Sequence, residues 1–196
     1  MGTSMTDAIR NALEESARIK ERMARDLVEP IARLTELVIG ILKGGGKLLL
    51  LGNGGSASDA QHIAAELVGR CLKERRGLPA IALSADPSVL TALGNDYGYS
   101  EVFRRQVEAL AVPGDLVWGL STSGNSENVY RALQFAKAAR ITTAALLGCG
   151  GGRIKEVADV SVVVPSKDTP RIQEAHITIG HIICAQVEGA LFGKGE

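Results

Sequence analysis

Residues 47–62 read KLLLLGNGGSASDAQH, and this stretch decides the fold class. The run Lys47–Leu51 is apolar on both faces, the pattern of a strand buried in a parallel sheet. It opens into Gly52-Asn53-Gly54-Gly55-Ser56-Ala57-Ser58. Glycines there let the backbone approach an anion, and the helix that follows, predicted over 57–70, offers unpaired N–H groups and the positive end of its dipole. Formally the loop fits G-x-G-x-x-A, a dinucleotide fingerprint, but the acid that should close the second strand about 20 residues on is missing; Asp86 lies about 30 on. No Gly-Lys-Ser/Thr follows, so the loop is not a Walker A loop.

Working outward, four more short apolar runs follow: Pro79–Leu83, Asp115–Leu120, Thr142–Leu147 and Asp159–Val164. Helical stretches at about 87–110, 126–140 and 150–157 separate them, and Arg171–Phe192 reads as one long helix. This alternation predicts an α/β three-layer sandwich, a five-stranded parallel sheet flanked by helices. Upstream, residues 6–43 are helical, with Ile19, Met23, Leu27 and Ile31 recurring every four residues. Pro30 is expected to break this stretch, and Gly44-Gly45-Gly46 to end a second helix over 31–42. Two long amphipathic helices carry more apolar surface than one small domain covers, which points to a homo-oligomer. The chain reads as one domain over 6–192, with no repeat and no linker.

The 196 residues are 45% hydrophobic and 22% charged, enough for a sizeable core. With 22 Lys+Arg against 22 Asp+Glu, no basic excess serves a nucleic acid, and the Lys73, Arg75, Arg76 patch reads as a solvated turn. Cys71, Cys149 and Cys184 make an odd count without paired spacing, so reduced thiols in a cytoplasmic protein are expected. No apolar h-region opens the chain and no run of about 18 uninterrupted apolar residues crosses a membrane. Met1–Ser4 precede a second methionine and are set aside as a cloning remnant.

In open parallel sheets, ligands bind at the carboxyl ends of strands. A second strand exit, Ser121-Thr122-Ser123-Gly124-Asn125-Ser126, crowds four hydroxyls around one glycine ahead of a helix. One helix cap explains one hydroxyl, Ser126, and not four, so a phosphate pocket is expected. On the helix after the first loop, His62 and Glu66 are four apart and share a face. Such a pair grips a metal ion, holds an acid and a base beside a substrate, or makes a surface contact. The C-terminal helix adds Gln173, Glu174, His176 and His181. Spacing does not say which histidine, or whether Gln173 or Glu174, faces the site; a lone His on an apolar helix is usually buried and satisfied, the reading given to His176.

These motifs, with Ser58-Asp59-Ala60, Gly94-Asn95-Asp96 and Arg171-Ile172-Gln173-Glu174, resemble the sugar isomerase (SIS) domain family in its phosphoheptose isomerase branch, over about residues 6–192. The resemblance implies an aldose–ketose isomerase that converts sedoheptulose 7-phosphate to D-glycero-D-manno-heptose 7-phosphate through an enediol. This is an early step towards activated heptoses, in many members for the lipopolysaccharide core. It implies a cytoplasmic homotetramer and one zinc ion per subunit held by His62, Glu66, Gln173 and His181. It implies Glu66 and His181 as the catalytic acid/base pair. It assigns Asn53, Gly54, Gly55, Glu66, Asn95, Asp96, Ser121, Thr122, Ser123, Ser126 and Gln173 to the substrate, with neither nucleic acid nor membrane as partner. Some relatives carry an acidic residue where Pro170 stands, so no catalytic role is given to that position. A related SIS protein that associates with the DnaA initiator acts by protein contact and lacks the full His/Glu/Gln/His set; it is the competing reading. An arabinose 5-phosphate isomerase with its extra modules does not fit in 196 residues.

Overall fold

Five strands, β1 (Leu48–Leu51), β2 (Ala80–Ala82), β3 (Leu116–Ser121), β4 (Thr142–Leu147) and β5 (Val160–Val163), form one sheet in a computed structural model that describes residues 4–193. The order is β2-β1-β3-β4-β5 and every pairing is parallel, with Leu49 set between Ile81 and Val117. The central strands β1 and β3 are buried along their whole length, as their unbroken apolar runs demand. The two edge strands depart from that expectation. Ile81 is 40% exposed and β5 is mostly half-buried, because an edge strand has helices covering only part of its faces.

The helices are α1 (Met5–Asp26), α2 (Val28–Lys43), α3 (Gly55–Val68), α4 (Pro87–Tyr97), α5 (Val102–Leu110), α6 (Glu127–Ala138), α7 (Ile154–Val157) and α8 (Thr169–Phe192). They sort into two layers by the alternating side chains of the sheet. Leu48, Leu50, Trp118 and Leu146 face α2, α3 and α8; Leu49, Leu51, Val117 and Leu147 face α5, α6 and α7.

Several boundaries differ from expectation for local reasons. The first helical stretch breaks at Leu27, and Pro30 sits in the first turn of α2, where its missing N–H has no intrahelical partner to lose. The stretch 87–110 is two helices joined by a 3₁₀ turn at Tyr99–Glu101, because Gly98 takes a φ of 84°. The stretch 150–157 is helical only in α7, after a run of three glycines at positive φ. Ser4, set aside as a remnant, caps α1 by accepting from the Asp7 N–H, while Met1–Thr3 lie outside the described residues. Asp86, out of place for a dinucleotide site, caps α4 by accepting from the Val89 N–H.

α8 is long and apolar enough to span a bilayer by length and composition. Its apolar side, Ile172, Ala175, Ile179, Ile183 and Val187, lies instead in the core against α2, α3 and the sheet. His176 is fully buried with them, and neither ring nitrogen has a partner at full hydrogen-bond geometry, so the nearby Leu147 carbonyl leaves it incompletely satisfied. Burial pushes its pKa down to about 4, with only the Leu147 carbonyl pulling upward. The folded state therefore prefers neutral imidazole, and stability is lost as pH falls from the unfolded value of 6.5 to about 4. The loss amounts to about 3 kcal/mol from this side chain. Urea midpoints at pH 7, 5.5 and 4.5 should fall less steeply in His176→Leu than in the parent; equal slopes would mean that His176 does not drive the acid sensitivity.

Candidate active site

The sheet order reverses at β1 and β3, so the loops leaving these strands stand side by side at the carboxyl end of the sheet. A tight turn makes the first loop: a Cβ on Gly52 would lie 2.7 Å from the Ser56 carbonyl oxygen, and Gly54, at the N-cap of α3, has a φ of 54°. Asn53 links the loops. Its Nδ2 donates to Asn128 Oδ1 (2.9 Å), and Asn128 Nδ2 donates back to Asn53 Oδ1 (2.8 Å), which also accepts from the Tyr99 hydroxyl (3.1 Å). Most of the Asn53 amide is thus committed to Asn128, a buried residue at the start of α6 that the sequence reading did not single out. A recess of about 260 Å³ opens between the loops, lined by Asn53, Tyr99, Ser126 and Asn128 among others.

In the second loop, the Ser121 and Ser126 hydroxyls lie 3.0 Å apart and bond to each other. Ser126 occupies the N-cap position of α6 without a side-chain cap bond, so the simple capping account fails for it. Ser123 Oγ accepts from the Asn125 N–H (3.1 Å), which folds the loop back on itself. The loop is braced from the far side: the Ile154 N–H donates to the Gly124 carbonyl (3.0 Å) and the Arg153 N–H to Asn125 Oδ1 (3.2 Å). Gly124 stands at a φ of 67° against the backbone of Gly151 and Gly152.

Two helices supply the ionisable groups. Gly180 lets α8 approach α3, since a Cβ there would lie 2.7 Å from Ile63 Cγ1. Next to this contact stand His181 and His62, whose Nε2 atoms are 3.2 Å apart, with ring centroids at 4.9 Å and planes at 74°. Glu66 Oε1 lies 3.3 Å from His62 Nε2, and one donor atom from each of the three residues lies within 4.8 Å of the others. Tetrahedral ligands at about 2.0–2.2 Å from a zinc ion stand roughly 3.3–3.6 Å apart, so the donor set and its spacing suit a metal ion. Burial raises the Asp59 carboxyl, one turn before His62, to about 6, with His62 pulling the other way.

Of the residues singled out, His62, Glu66 and His181 come together, whereas His176 points into the core. Gln173 lies over the first loop: a Cβ on Gly55 would be 2.7 Å from its Cδ. Glu174 pairs with Arg171 at 2.7 Å. Asn95 and Asp96 stand exposed on α4, with Asn95 Nδ2 donating to Asp96 Oδ1 (2.8 Å) and no hydrogen bond to either loop among the described residues. Gly180 was missed; its signal was a glycine inside an apolar helix beside a histidine.

The family model described as SIS domain matches residues 13–148. A phosphoheptose isomerase from Geobacter metallireducens is 56% identical over 188 residues, covering 96% of this chain and all of that protein. One from Trichlorobacter lovleyi is 54% identical and covers 96% of each. Phosphoheptose isomerase GmhA from Neisseria gonorrhoeae superposes with a TM-score of 0.90 at 42% identity, over 95% of this chain and 100% of that one. The Francisella tularensis phosphoheptose isomerase gives a TM-score of 0.91 at 36% identity, over 94% and 98%.

Proposed function

The chain belongs to the SIS domain family and is an isomerase of its phosphoheptose isomerase group, and from that premise we propose how its residues carry the reaction. The reaction converts sedoheptulose 7-phosphate to D-glycero-D-manno-heptose 7-phosphate. The single observation that carries the site reading is the meeting of His62, Glu66 and His181 on two helices beside the two strand-exit loops. The protein-contact reading is not favoured, because the similar proteins over nearly the full chain are isomerases.

The phosphate is held by the loop 121–126. Neutral hydroxyls of Ser121, Thr122, Ser123 and Ser126 donate to its oxygens, and the N-terminus of α6 adds its dipole. The first loop, through Asn53, Gly54 and Gly55, brackets the sugar with Gln173, and Asn95 and Asp96 close over its far end. Glu66 takes a proton from C1 of the ketose. His181 donates a proton to the C2 oxygen and accepts one from the C1 oxygen, so an enediol forms and collapses. Glu66 then returns its proton to C2, giving the aldose. No atom is gained or lost. Positioned acid–base groups of this kind contribute about 10²–10⁴-fold each.

A zinc ion would be held by His62, Glu66 and His181, with Gln173 as the fourth ligand. When bound, it would polarise the substrate oxygens as a Lewis acid. We assign the protein to the cytoplasm, to an early step of activated-heptose synthesis feeding the lipopolysaccharide core, and to a homotetramer. The uncovered apolar side chains of α1, Met5, Ile9 and Leu13, support assembly.

The test is incubation with sedoheptulose 7-phosphate, monitored for aldose. Chelation should abolish turnover and lower the bound-zinc content together, and added zinc should restore both. No aldose from metal-loaded protein would overturn the reading, and full activity of metal-free protein would remove zinc from it.

A further inference from the structure

α3 ends at Val68 with its last carbonyls lacking helical partners and no basic residue in its last turn. Arg75, in the loop beyond, supplies donors there, alongside the Leu78 N–H, which reaches the Leu67 carbonyl (2.9 Å). Its Nη2 donates to the carbonyl of Glu66 itself (2.7 Å), and its Nη1 to those of Leu67 (2.7 Å) and Gly69 (2.6 Å). Its Nε donates to Glu188 Oε1 on α8 (2.9 Å). Glu188 accepts in addition from the N–H groups of Cys71 (2.8 Å), Leu72 (2.7 Å) and Lys73 (3.0 Å). Both side chains are 1% exposed. Burial pushes the Glu188 carboxyl up, but the three N–H donors and Arg75 outweigh it and hold it below the usual carboxylate range, so the pair is charged at neutral pH. Glu188 follows His181 by two helical turns and so projects from nearly the same side of α8.

We infer that the Arg75–Glu188 pair is a positioning device for the acid/base cluster, clamping the end of α3 that carries Glu66 onto the helix that carries His181. The inference rests on the active-site reading above. A buried ion pair is poor evidence for stability alone, since apolar substitutes of similar volume often serve as well. Here the guanidinium fork reaches three carbonyls of one helix end and a carboxylate of another helix at once, which fixes orientation. Acid–base chemistry needs its groups placed to within about 0.5 Å, and Glu66 and His181 share no covalent neighbourhood.

Arg75→Lys keeps the charge but offers one point donor in place of the fork; Glu188→Gln removes the charge at constant shape. In each, kcat for sedoheptulose 7-phosphate should fall about 10–100-fold with KM within threefold, at a temperature where circular dichroism shows the variant fully folded. Zinc affinity, read by competition with a chromophoric chelator, should weaken about tenfold. A folded variant with parental kcat and zinc affinity would overturn the inference. So would failure of both variants to fold, since the pair would then be a folding element. Glu66→Gln run alongside separates the two levels: if it stays active, the site reading itself has failed.

Discussion

Glu66→Gln should lower turnover at least a hundredfold while sedoheptulose 7-phosphate still binds. The carboxamide occupies the same space beside His62, where Glu66 Oε1 now lies 3.3 Å from Nε2, but it cannot accept the carbon-bound proton. The side chain is 22% exposed at the rim of an open cluster, so the fold loses little. A hundredfold is about 2.7 kcal/mol of transition-state stabilisation, at the lower end of what a positioned base supplies. Because Gln is also a weaker metal ligand, zinc content must be measured on the same sample. Slow turnover at full zinc content identifies the base, whereas slow turnover that excess zinc repairs identifies a ligand. Near-normal turnover would refute the base assignment.

Gly124→Ala should damage the loop 121–126, the proposed phosphate site, without touching any ionisable group. At a φ of 67° an L side chain is strained. A Cβ there would overlap the carbonyl of Gly151 and stand 2.7 Å from the Gly152 nitrogen, and these are backbone atoms that cannot swing aside. The cost is about 3 kcal/mol, combining the left-handed conformation with the clash. For a chain of this size that lowers Tm by roughly 6–12 °C. The loop can relieve the overlap only by moving away from Gly151, which breaks the bond from the Ile154 N–H to the Gly124 carbonyl. KM for the sugar phosphate should therefore rise at least tenfold, and inorganic phosphate should compete less well, with kcat reduced far less. An unchanged KM would show that the loop 121–126 does not hold the phosphate.

Much of this site was legible along the chain because its parts are local. His62 and Glu66 lie on one helix face by the 3.6-residue period alone. The glycines around Asn53 and the hydroxyls around Gly124 announce turns whose backbone must come close to something. Other features left no local trace. Asn128 looks like any polar residue in a first turn, and its pairing with Asn53 spans 75 positions. Arg75 read as part of a solvated basic turn; its burial follows from Glu188, 113 positions away. Tyr99 reached Asn53 only because Gly98 broke a stretch whose periodicity ran on as one helix.

The sequence by itself determined the alternation of strand and helix, the parallel sheet and the two strand-exit loops, because hydrophobic period and glycine placement act over a few residues. Helical spacing left open which histidine joins the cluster; the family resemblance implied His181, and the packing of the tertiary structure supplies the physical reason. His176 and His181 point to different sides of one helix: His176 lies among Ile172, Ala175, Ile179 and Ile183, whereas His181 is exposed. Packing of Gly180 on Ile63 sets the rotation of α8, and that rotation sends His176 into the core and His181 to Glu66.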